Sequence, residues 1–168
     1  MNELVLEADQ SLDVLFAAEG HAGHHSAEIG RTTTVREFID IAVTKTGIEG
    51  LLEVYVENAE EALGHDLILV EHLSIEFAPI HIAKPGKIQT AVRYQNRHVE
   101  RAFRPAATIE RVTEWAVGKH GLDLQGDPND YQIKHEGKVL APDSHLGQVA
   151  HGKKSVVLDL VFKIKPQG

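Results

Sequence analysis

The chain contains no cysteine, a single methionine and a single tryptophan. Without cysteine there is no disulfide framework, no thiol nucleophile and no thiolate metal site. No segment approaches the roughly 20 consecutive apolar residues that span a membrane, and the acidic start Met1-Asn2-Glu3 does not resemble a signal peptide. These absences lead us to expect a cytoplasmic protein without a membrane partner.

Motifs that would indicate an enzyme are missing as well. The sequence has no phosphate-cradling glycine loop, no HExxH and no nucleophile elbow. Asp143, Ser144 and His145 are adjacent, but three consecutive residues cannot form a hydrolase triad. We therefore expect a protein that is not an enzyme, with no catalytic residue and no cofactor of its own.

Charge is distributed unevenly along the chain. Residues 1–84 hold 16 acidic and 4 basic residues, a net charge of −12, whereas residues 85–168 hold 9 and 13, a net charge of +4. Such asymmetry suggests that the two halves meet different partners. The cations of the second half are scattered and are not interleaved with aromatic side chains, so we do not expect nucleic acid to be a partner.

One fifteen-residue pattern occurs twice, at an offset of 74 residues. Residues 34–48 (TVREFIDIAVTKTGI) and 108–122 (TIERVTEWAVGKHGL) share five identical positions, and most other apolar positions exchange one hydrophobic residue for another. A period this long indicates a duplicated domain, because solenoid repeats are shorter. We therefore expect one domain over residues 1–84, in which 1–11 form a tail or an added edge strand, and a second over residues 85–168.

The second copy shows the clearer pattern of strands and helices. Alternating apolar residues indicate strands, and a stripe at helical spacing follows Thr108, a suitable N-cap, and ends near Gly121. The predicted elements are, in order, the strands Ile88–Tyr94 and Arg97–Phe103, a helix from Thr108 to Gly121, the strand Tyr131–Lys134, the short strand Val139–Leu140, a helical turn over Ser144–Val149 and the strand Ser155–Phe162.

The same order fits the first copy. Its predicted elements are the strands Val14–Ala18 and His24–Gly30, the helix of the repeat, and the strands Leu51–Val56, His65–Val70 and Phe77–Ala83. A hairpin that feeds a helix lying across a sheet, with later strands completing that sheet, is the β-grasp arrangement, and its last strand is expected at the centre, parallel to the first. We therefore predict an α+β fold of two tandem β-grasp domains joined by a very short linker at Pro85-Gly86.

Two tandem β-grasp domains that end on glycine resemble the ubiquitin-like modifiers. The most specific segment is 157–168 (VLDLVFKIKPQG), in which an alternating strand leads into a basic tail ending in Gly168. The chain is most similar to the two-domain, interferon-induced modifier of vertebrates and to its bacterial counterparts, the Bil-type modifiers of antiphage operons. The family usually ends in two glycines, whereas here Gln167 precedes Gly168.

The resemblance implies that the protein is attached to other proteins. In the family, an activating enzyme uses ATP to adenylate the terminal carboxylate, a conjugating enzyme passes it on as a thioester, and a target lysine receives it; a deconjugating protease reverses the bond. Gly168 would be the conjugation terminus, since glycine accepts backbone geometries closed to other residues. The tail recognised by the activating enzyme would comprise Lys163, Ile164, Lys165, Pro166 and Gln167.

The last strand also offers a surface to partners. Because successive side chains of a strand alternate between faces, Asp159 and Val161 should point away from the helix. Every second residue of the neighbouring strand must lie on the same face. Two sets are possible: Tyr131 with Ile133, or Gln132 with Lys134. We predict a partner-binding sheet face of Tyr131, Ile133, Asp159 and Val161. An ordinary solvated sheet face is the alternative.

Two polar clusters have simpler interpretations. His21, His24 and His25 could bind a metal as short histidine tracts do, but no carboxylate or cysteine follows at ligand spacing, so we predict a solvated hairpin loop and no metal site. The acidic stretch 57–61 is predicted to be a solvated turn that could repel wrong partners.

A different class of function is also compatible with two β-grasp modules. A non-covalent adaptor would use its acidic and basic halves to bridge partners or to self-associate head to tail. A sulfur carrier fits less well, because such carriers are single domains that end in two glycines. The terminus discriminates between the first two functions, since only a conjugated modifier needs Gly168.

Overall fold

The computed structural model describes residues 10–74 and 79–164. In the N-terminal half, the regular elements are β1 (Ser11–Ala18), β2 (His25–Gly30), α1 (Val35–Thr46), β3 (Glu53–Tyr55), a 3₁₀ helix (Leu69–His72) and β4 (Ile80–Ala83). The strands form a mixed sheet of order β2-β1-β4-β3.

The C-terminal half repeats this plan with more strands. Its elements are β5 (Ile88–Tyr94), β6 (Arg97–Phe103), α2 (Ile109–Val117), a 3₁₀ helix (Pro128–Asp130), β7 (Tyr131–His135), β8 (Lys138–Val139), α3 (Leu146–Ala150) and β9 (Ser155–Phe162). The sheet order is β6-β5-β9-β7-β8. Within residues 10–74 and 79–164, no helix is long and apolar enough to cross a membrane.

The last strand of each half lies beside the first, as the sequence predicts. β4 pairs in parallel with β1, and β9 pairs in parallel with β5. β1 and β5 also form antiparallel hairpins with β2 and β6, so the parallel pair is central in both sheets. The prediction of an α+β fold with two tandem β-grasp domains is confirmed. We refer to the units built on the two sheets as the N-domain and the C-domain.

Both long helices begin at the threonine of the repeat. The side-chain oxygens of Thr34 and Thr108 each accept a hydrogen bond of 3.2 Å, from the backbone N–H of Glu37 and Arg111 respectively. Threonine is a preferred N-cap because its oxygen satisfies one of the free N–H groups of the first turn. The repeated motif therefore marks the start of the same element in both domains.

The helices end differently, which corrects one prediction. Gly47 ends α1 in the left-handed conformation, with φ of 71°. In contrast, α2 stops at Val117 with Gly118 as its C-cap, so the prediction that Gly121 ends this helix is wrong. Gly121 lies beneath the last helical turn, where a Cβ would collide with Trp115 O and lie 2.6 Å from Ala116 O.

The later part of the N-domain also departs from the predicted strands. No strand covers residues 65–70; Ile68 forms only an isolated bridge to Thr34, and a 3₁₀ helix begins at Leu69. The equivalent bridge in the C-domain joins Thr108 to His145, just before α3. The apolar run at 67–70 is therefore the N-domain counterpart of the α3 region. Leu69 and Val70 of this run are buried. Of the predicted strand Phe77–Ala83, Ile80–Ala83 is observed as β4, and residues 77–78 lie outside the described part of the chain.

Each sheet packs its own helix on one face and forms a separate hydrophobic core. In the N-domain, Phe38 of α1 meets Phe16 of β1 edge-on, with ring centroids 5.4 Å apart. In the C-domain, Trp115 of α2 meets Phe103 of β6 at 5.4 Å, as expected for a residue on the apolar stripe of the helix. The opposite face of each sheet is left to meet solvent or another domain.

Replacing the N-cap Thr34 by alanine should lower the free energy of unfolding by about 1 kcal/mol, because the first turn of α1 loses its acceptor. Urea denaturation measures this change. Thr32→Ala is the matched control, since Thr32 is exposed two residues earlier and such substitutions change stability by about 0.5 kcal/mol or less. Equal effects for the two variants would contradict a capping role for Thr34.

Candidate functional site at the tail, the open sheet face and the interdomain seam

The C-terminal segment leaves the C-domain from the centre of its sheet. β9 pairs with β5 on one side and with β7 on the other, up to Phe162. One residue later, the N–H of Lys163 donates to Asp130 O at 2.8 Å. Ile164 is then 94% exposed, so the chain projects into solvent at this point. The predicted tail residues Lys165, Pro166, Gln167 and Gly168 lie outside the described residues.

The strand register corrects the predicted partner-binding face. Paired residues on adjacent strands lie on the same face, and Gln132 pairs with Val161 while Lys134 pairs with Asp159. Asp159 and Val161 thus lie on the outer face together with Gln132 and Lys134. Tyr131 and Ile133 do not share it.

Tyr131 and Ile133 belong instead to the helix-facing side of the sheet. Ile133 pairs with the buried Leu160, and it is itself only 1% exposed. Tyr131 is buried beside Tyr94 and Phe162, and its hydroxyl donates to Gln125 O at 3.0 Å. Burial and the neighbouring Tyr94 raise the pKa of Tyr131. The alternation Tyr-Gln-Ile-Lys indicates this orientation, because the apolar residues of a half-buried strand face the core.

An ion pair crosses the middle of the outer face of the C-domain. Arg93 of β5 donates from Nε to Asp159 Oδ1 at 2.8 Å and from a terminal nitrogen to Oδ2 at 3.1 Å. The two residues are in register on adjacent parallel strands. Val157 lies on the same face and is 48% exposed. The face therefore presents small apolar side chains beside a pair of opposite charges.

The corresponding face of the N-domain is buried. Ala17 of β1 and His81 of β4, which are paired, are both 0% exposed, and so is Tyr55 of β3. Their counterparts in the C-domain, Ala91 and Val157, face solvent at least in part. The N-domain sheet is covered by the C-domain, through the loop 104–108 and α3. We refer to this contact as the interdomain seam.

Close packing and main-chain hydrogen bonds hold the seam together. The N–H of Asn58 donates to Ala106 O at 3.0 Å, and the side-chain oxygen of Asn58 accepts from the N–H of Thr108 at 2.8 Å. Gly147 of α3 lies against His81 so closely that an added Cβ would collide with His81 Nε2 and lie 2.9 Å from Pro105 Cβ. Backbone groups that would otherwise be buried without partners are thus satisfied across the boundary.

The seam overturns the prediction that residues 57–61 form a solvated turn. Besides Asn58, Glu60 faces the C-domain: its carbonyl oxygen accepts from Arg104 Nε at 2.7 Å, and its carboxylate lies 3.4 Å from a terminal nitrogen of Arg111. Glu57 also contacts the C-domain, at His145. Of the acidic residues in this stretch, Glu60 faces basic side chains of the second half.

Two buried histidines meet in the seam. Nδ1 of His81 lies 3.0 Å from Nδ1 of His145, and Nε2 of His145 lies 2.7 Å from a carboxylate oxygen of Glu57. Both histidines are 0% exposed. Since the carboxylate accepts only, Nε2 of His145 carries the proton, which leaves its Nδ1 to accept from Nδ1–H of His81. This assignment makes both rings neutral.

Burial keeps these rings neutral at ordinary pH. Desolvation lowers the pKa of His81 well below its usual value, and the neighbouring His145 lowers it further. Desolvation also lowers the pKa of His145, although Glu57 opposes this effect. Nε2 of His81 has no hydrogen-bond partner among the described residues and points at Gly147. Sequence reasoning missed His81, whose signal was a polar residue inside the apolar strand Ile80-His81-Ile82.

The histidine-rich hairpin loop is part of the same contact. Nε2 of Gln148 in α3 donates to the carbonyl oxygens of His21, at 3.1 Å, and Gly23, at 2.8 Å. His25 begins β2 and its ring packs near Phe16. Among the residues that the structure describes, no group of three histidine, cysteine or carboxylate side chains is arranged to hold a metal ion. The loop contributes its backbone to the seam.

The variant Gly147→Ala should open the seam, because its methyl group cannot fit between His81 and Pro105; overpacking of this kind costs about 1–3 kcal/mol. Hydrogen exchange should show lost protection at the N–H groups of Asn58 and Thr108. Gly64→Ala is the control, since its Cβ would meet only Leu67 at 3.5 Å. Unchanged protection in Gly147→Ala would contradict this packing.

Comparison with known proteins gives a family match for the C-domain. Residues 89–163 match the family model described as BilA ubiquitin-like domain 2. Among solved structures, ubiquitin from Caldiarchaeum subterraneum is similar at 14% identity and a TM-score of 0.40, over 49% of this chain and 100% of that one. No curated protein matches the chain. Residues 89–163 thus form a BilA-type ubiquitin-like domain, which is the second of two β-grasp domains in this ubiquitin-like chain.

Proposed function

We propose that this protein is a modifier that partner enzymes activate at Gly168 and attach to target proteins. The observation that carries the proposal is the position of β9, which lies at the sheet centre of a domain that matches the BilA ubiquitin-like model and leads directly into the exposed Ile164. The strand is anchored at the sheet centre, and the chain then projects outward at Lys163 and Ile164. A rigid anchor next to an exposed basic tail suits insertion into an enzyme cleft.

The chemistry needs only the terminal carboxylate from this chain. In the activation step, a carboxylate oxygen of Gly168 bonds to the α-phosphorus of ATP and pyrophosphate leaves. An enzyme thiolate then displaces AMP to give a thioester, and a lysine amine of the target displaces the thiol and loses a proton. Because this chain contains no cysteine, the thioester sulfur belongs to the activating and conjugating enzymes. ATP is a substrate of the activating enzyme and is not a cofactor of the modifier.

The biological setting that we propose is bacterial defence against phage. Support comes from the resemblance to the Bil-type modifiers and from the match of residues 89–163 to the BilA model. The partners would then be an activating enzyme, a conjugating enzyme and a deconjugating protease, with a target protein that supplies the lysine.

The outer face of the C-domain is the proposed docking surface for these enzymes. It combines the partly exposed Val157 and Val161 with the ion pair of Arg93 and Asp159, whereas the same face of the N-domain is covered. Small apolar side chains give binding energy and the bordering charges give orientation. In this proposal the N-domain acts as a support that does not compete for the same contacts.

A non-covalent adaptor remains the alternative function. An adaptor would need the charges of its acidic and basic halves to be available to partners. Within the described residues, some of these charges face one another: Glu60 lies 3.4 Å from Arg111 and 4.0 Å from Arg101 across the seam. Part of the charge difference between the halves is therefore engaged in contacts within the chain and is not available to bind partners. This favours the function of a conjugated modifier over that of an adaptor.

Deleting Gly168 should abolish every covalent adduct of the protein, because the activated carboxylate is lost from its position in the cleft. The test incubates N-terminally tagged protein with ATP and a lysate of the native cells, followed by blotting with and without a thiol reductant. The intact chain should give thiol-sensitive thioesters and thiol-resistant conjugates. Gly64→Ala is the control and should give both. Adducts that persist without Gly168, or no adducts from a lysate that contains the enzymes, would contradict the proposal.

Val161→Asp should weaken binding of the activating enzyme about tenfold, which corresponds to about 1.4 kcal/mol, because a carboxylate beside Asp159 must be desolvated in the contact. Calorimetry with the purified enzyme measures the affinity. The control is Leu51→Asp, which removes an apolar side chain that is 72% exposed on the N-domain. Equal losses for the two variants would argue against the C-domain face as the docking surface.

A further inference from the structure

The interdomain seam contains an acid-base arrangement that the conjugation chemistry does not use. Glu57 belongs to the N-domain, His145 to the C-domain and His81 to the N-domain again, so the chain of contacts crosses the boundary twice. Both rings are fully buried, and Nε2 of His81 has no partner in the described part of the chain. We propose that these residues form a proton-operated latch that keeps the sheet face of the N-domain covered at neutral pH and releases it on acidification.

Protonation disturbs the arrangement for a geometric reason. If His145 takes up a proton at Nδ1, His81 must change tautomer to accept from it, which moves the proton of His81 to Nε2. That atom faces Gly147, and the described residues offer it no acceptor. A second proton would place two N–H donors opposite each other across the 3.0 Å separation. The first step turns the unpaired nitrogen of His81 into an unpaired N–H donor, and the second replaces the hydrogen bond between the two rings by two opposed donors. Both changes are costly in a buried site.

The surrounding charges set the direction of the response. Around His145 lie the carboxylates of Glu57 and Asp143, which favour its charged form, and His24, which opposes it. His81 pairs across the strands with Tyr55, whose own neighbours are Glu53 and Arg104. At His145, burial outweighs the carboxylates, and at His81 burial and the neighbouring His145 act in the same direction, so the closed form holds fewer protons than an open form.

This difference in bound protons fixes the pH window. A buried histidine with a lowered pKa contributes its full stabilisation above the ordinary value of about 6.5, and the contribution declines as the pH falls below it. The closed seam should therefore be most stable at neutral and alkaline pH and should weaken progressively as the pH falls below about 6.5. Opening would expose Ala17, Tyr55 and His81, the N-domain counterpart of the open C-domain face.

Hydrogen exchange at the seam tests the latch. The N–H groups of Asn58 and Thr108 donate across the boundary, whereas those of β5 and β9 report on the core of the C-domain. After correction for intrinsic rates, protection at Asn58 and Thr108 should fall at least tenfold between pH 7.5 and 5.0 in the full-length protein. Protection in the central strands should remain. Constant protection at the seam, or a parallel loss in the central strands, would overturn the proposal.

Variants distinguish the latch from a general sensitivity to acid. In His81→Asn, the amide can donate to His145 Nδ1 or turn to accept from it, so the response to pH should be lost. His72→Asn removes an exposed histidine of the N-domain and should keep the response. Glu57→Gln should move the response to lower pH, because His145 loses the carboxylate that favours its charge. Persistence of the response in His81→Asn, or an unchanged or higher midpoint in Glu57→Gln, would contradict the latch.

Discussion

The burial of one sheet face of the N-domain beneath the C-domain is the constraint on which the rest of this structure depends. Two β-grasp units of the same plan would otherwise each expose a sheet face and could bind partners independently. Because the chain between β4 and β5 is short, the C-domain loop 104–108 reaches the face that carries His81, and α3 closes over it. The duplicated fold is thereby used asymmetrically, with one covered face and one open face.

The physical origin of this asymmetry lies in a few substitutions between the copies. At the offset of 74 residues, Pro105-Ala106-Ala107 replaces Arg31-Thr32-Thr33, and Ala106 is completely buried where Thr32 is exposed. Small apolar side chains allow two backbones to approach closely, whereas arginine and threonine require solvent or polar partners. His145 similarly occupies the bridge position that Ile68 holds in the N-domain, which places a titratable ring at the boundary.

This division bears on the function proposed for this ubiquitin-like protein. The tail leaves from the centre of the domain whose sheet face remains open, so an enzyme that grips this face also holds the strand leading to the terminus. The N-domain adds mass and a covered second face without offering a competing site of the same kind. If the seam opens on protonation, as proposed, the number of open sheet faces changes while the tail used in the proposed conjugation is unaffected.

The sequence by itself determined the duplication, the order of most strands and helices, and the N-cap at Thr108. The duplication follows from the repeat of residues 34–48 at 108–122, and the elements follow from periodicity and turn chemistry among neighbouring residues. The central position of the last strand was inferred from the β-grasp arrangement of those elements. The prediction that puts Tyr131 and Ile133 on the outer face is wrong because these apolar residues lie on the helix-facing side of β7. The prediction of a solvated turn after Val56 is wrong because the partners of this turn lie about 50 residues away in the sequence. Only the tertiary structure brought Glu57, His145 and His81 together, since contacts between domains depend on shape and distance that no local pattern encodes.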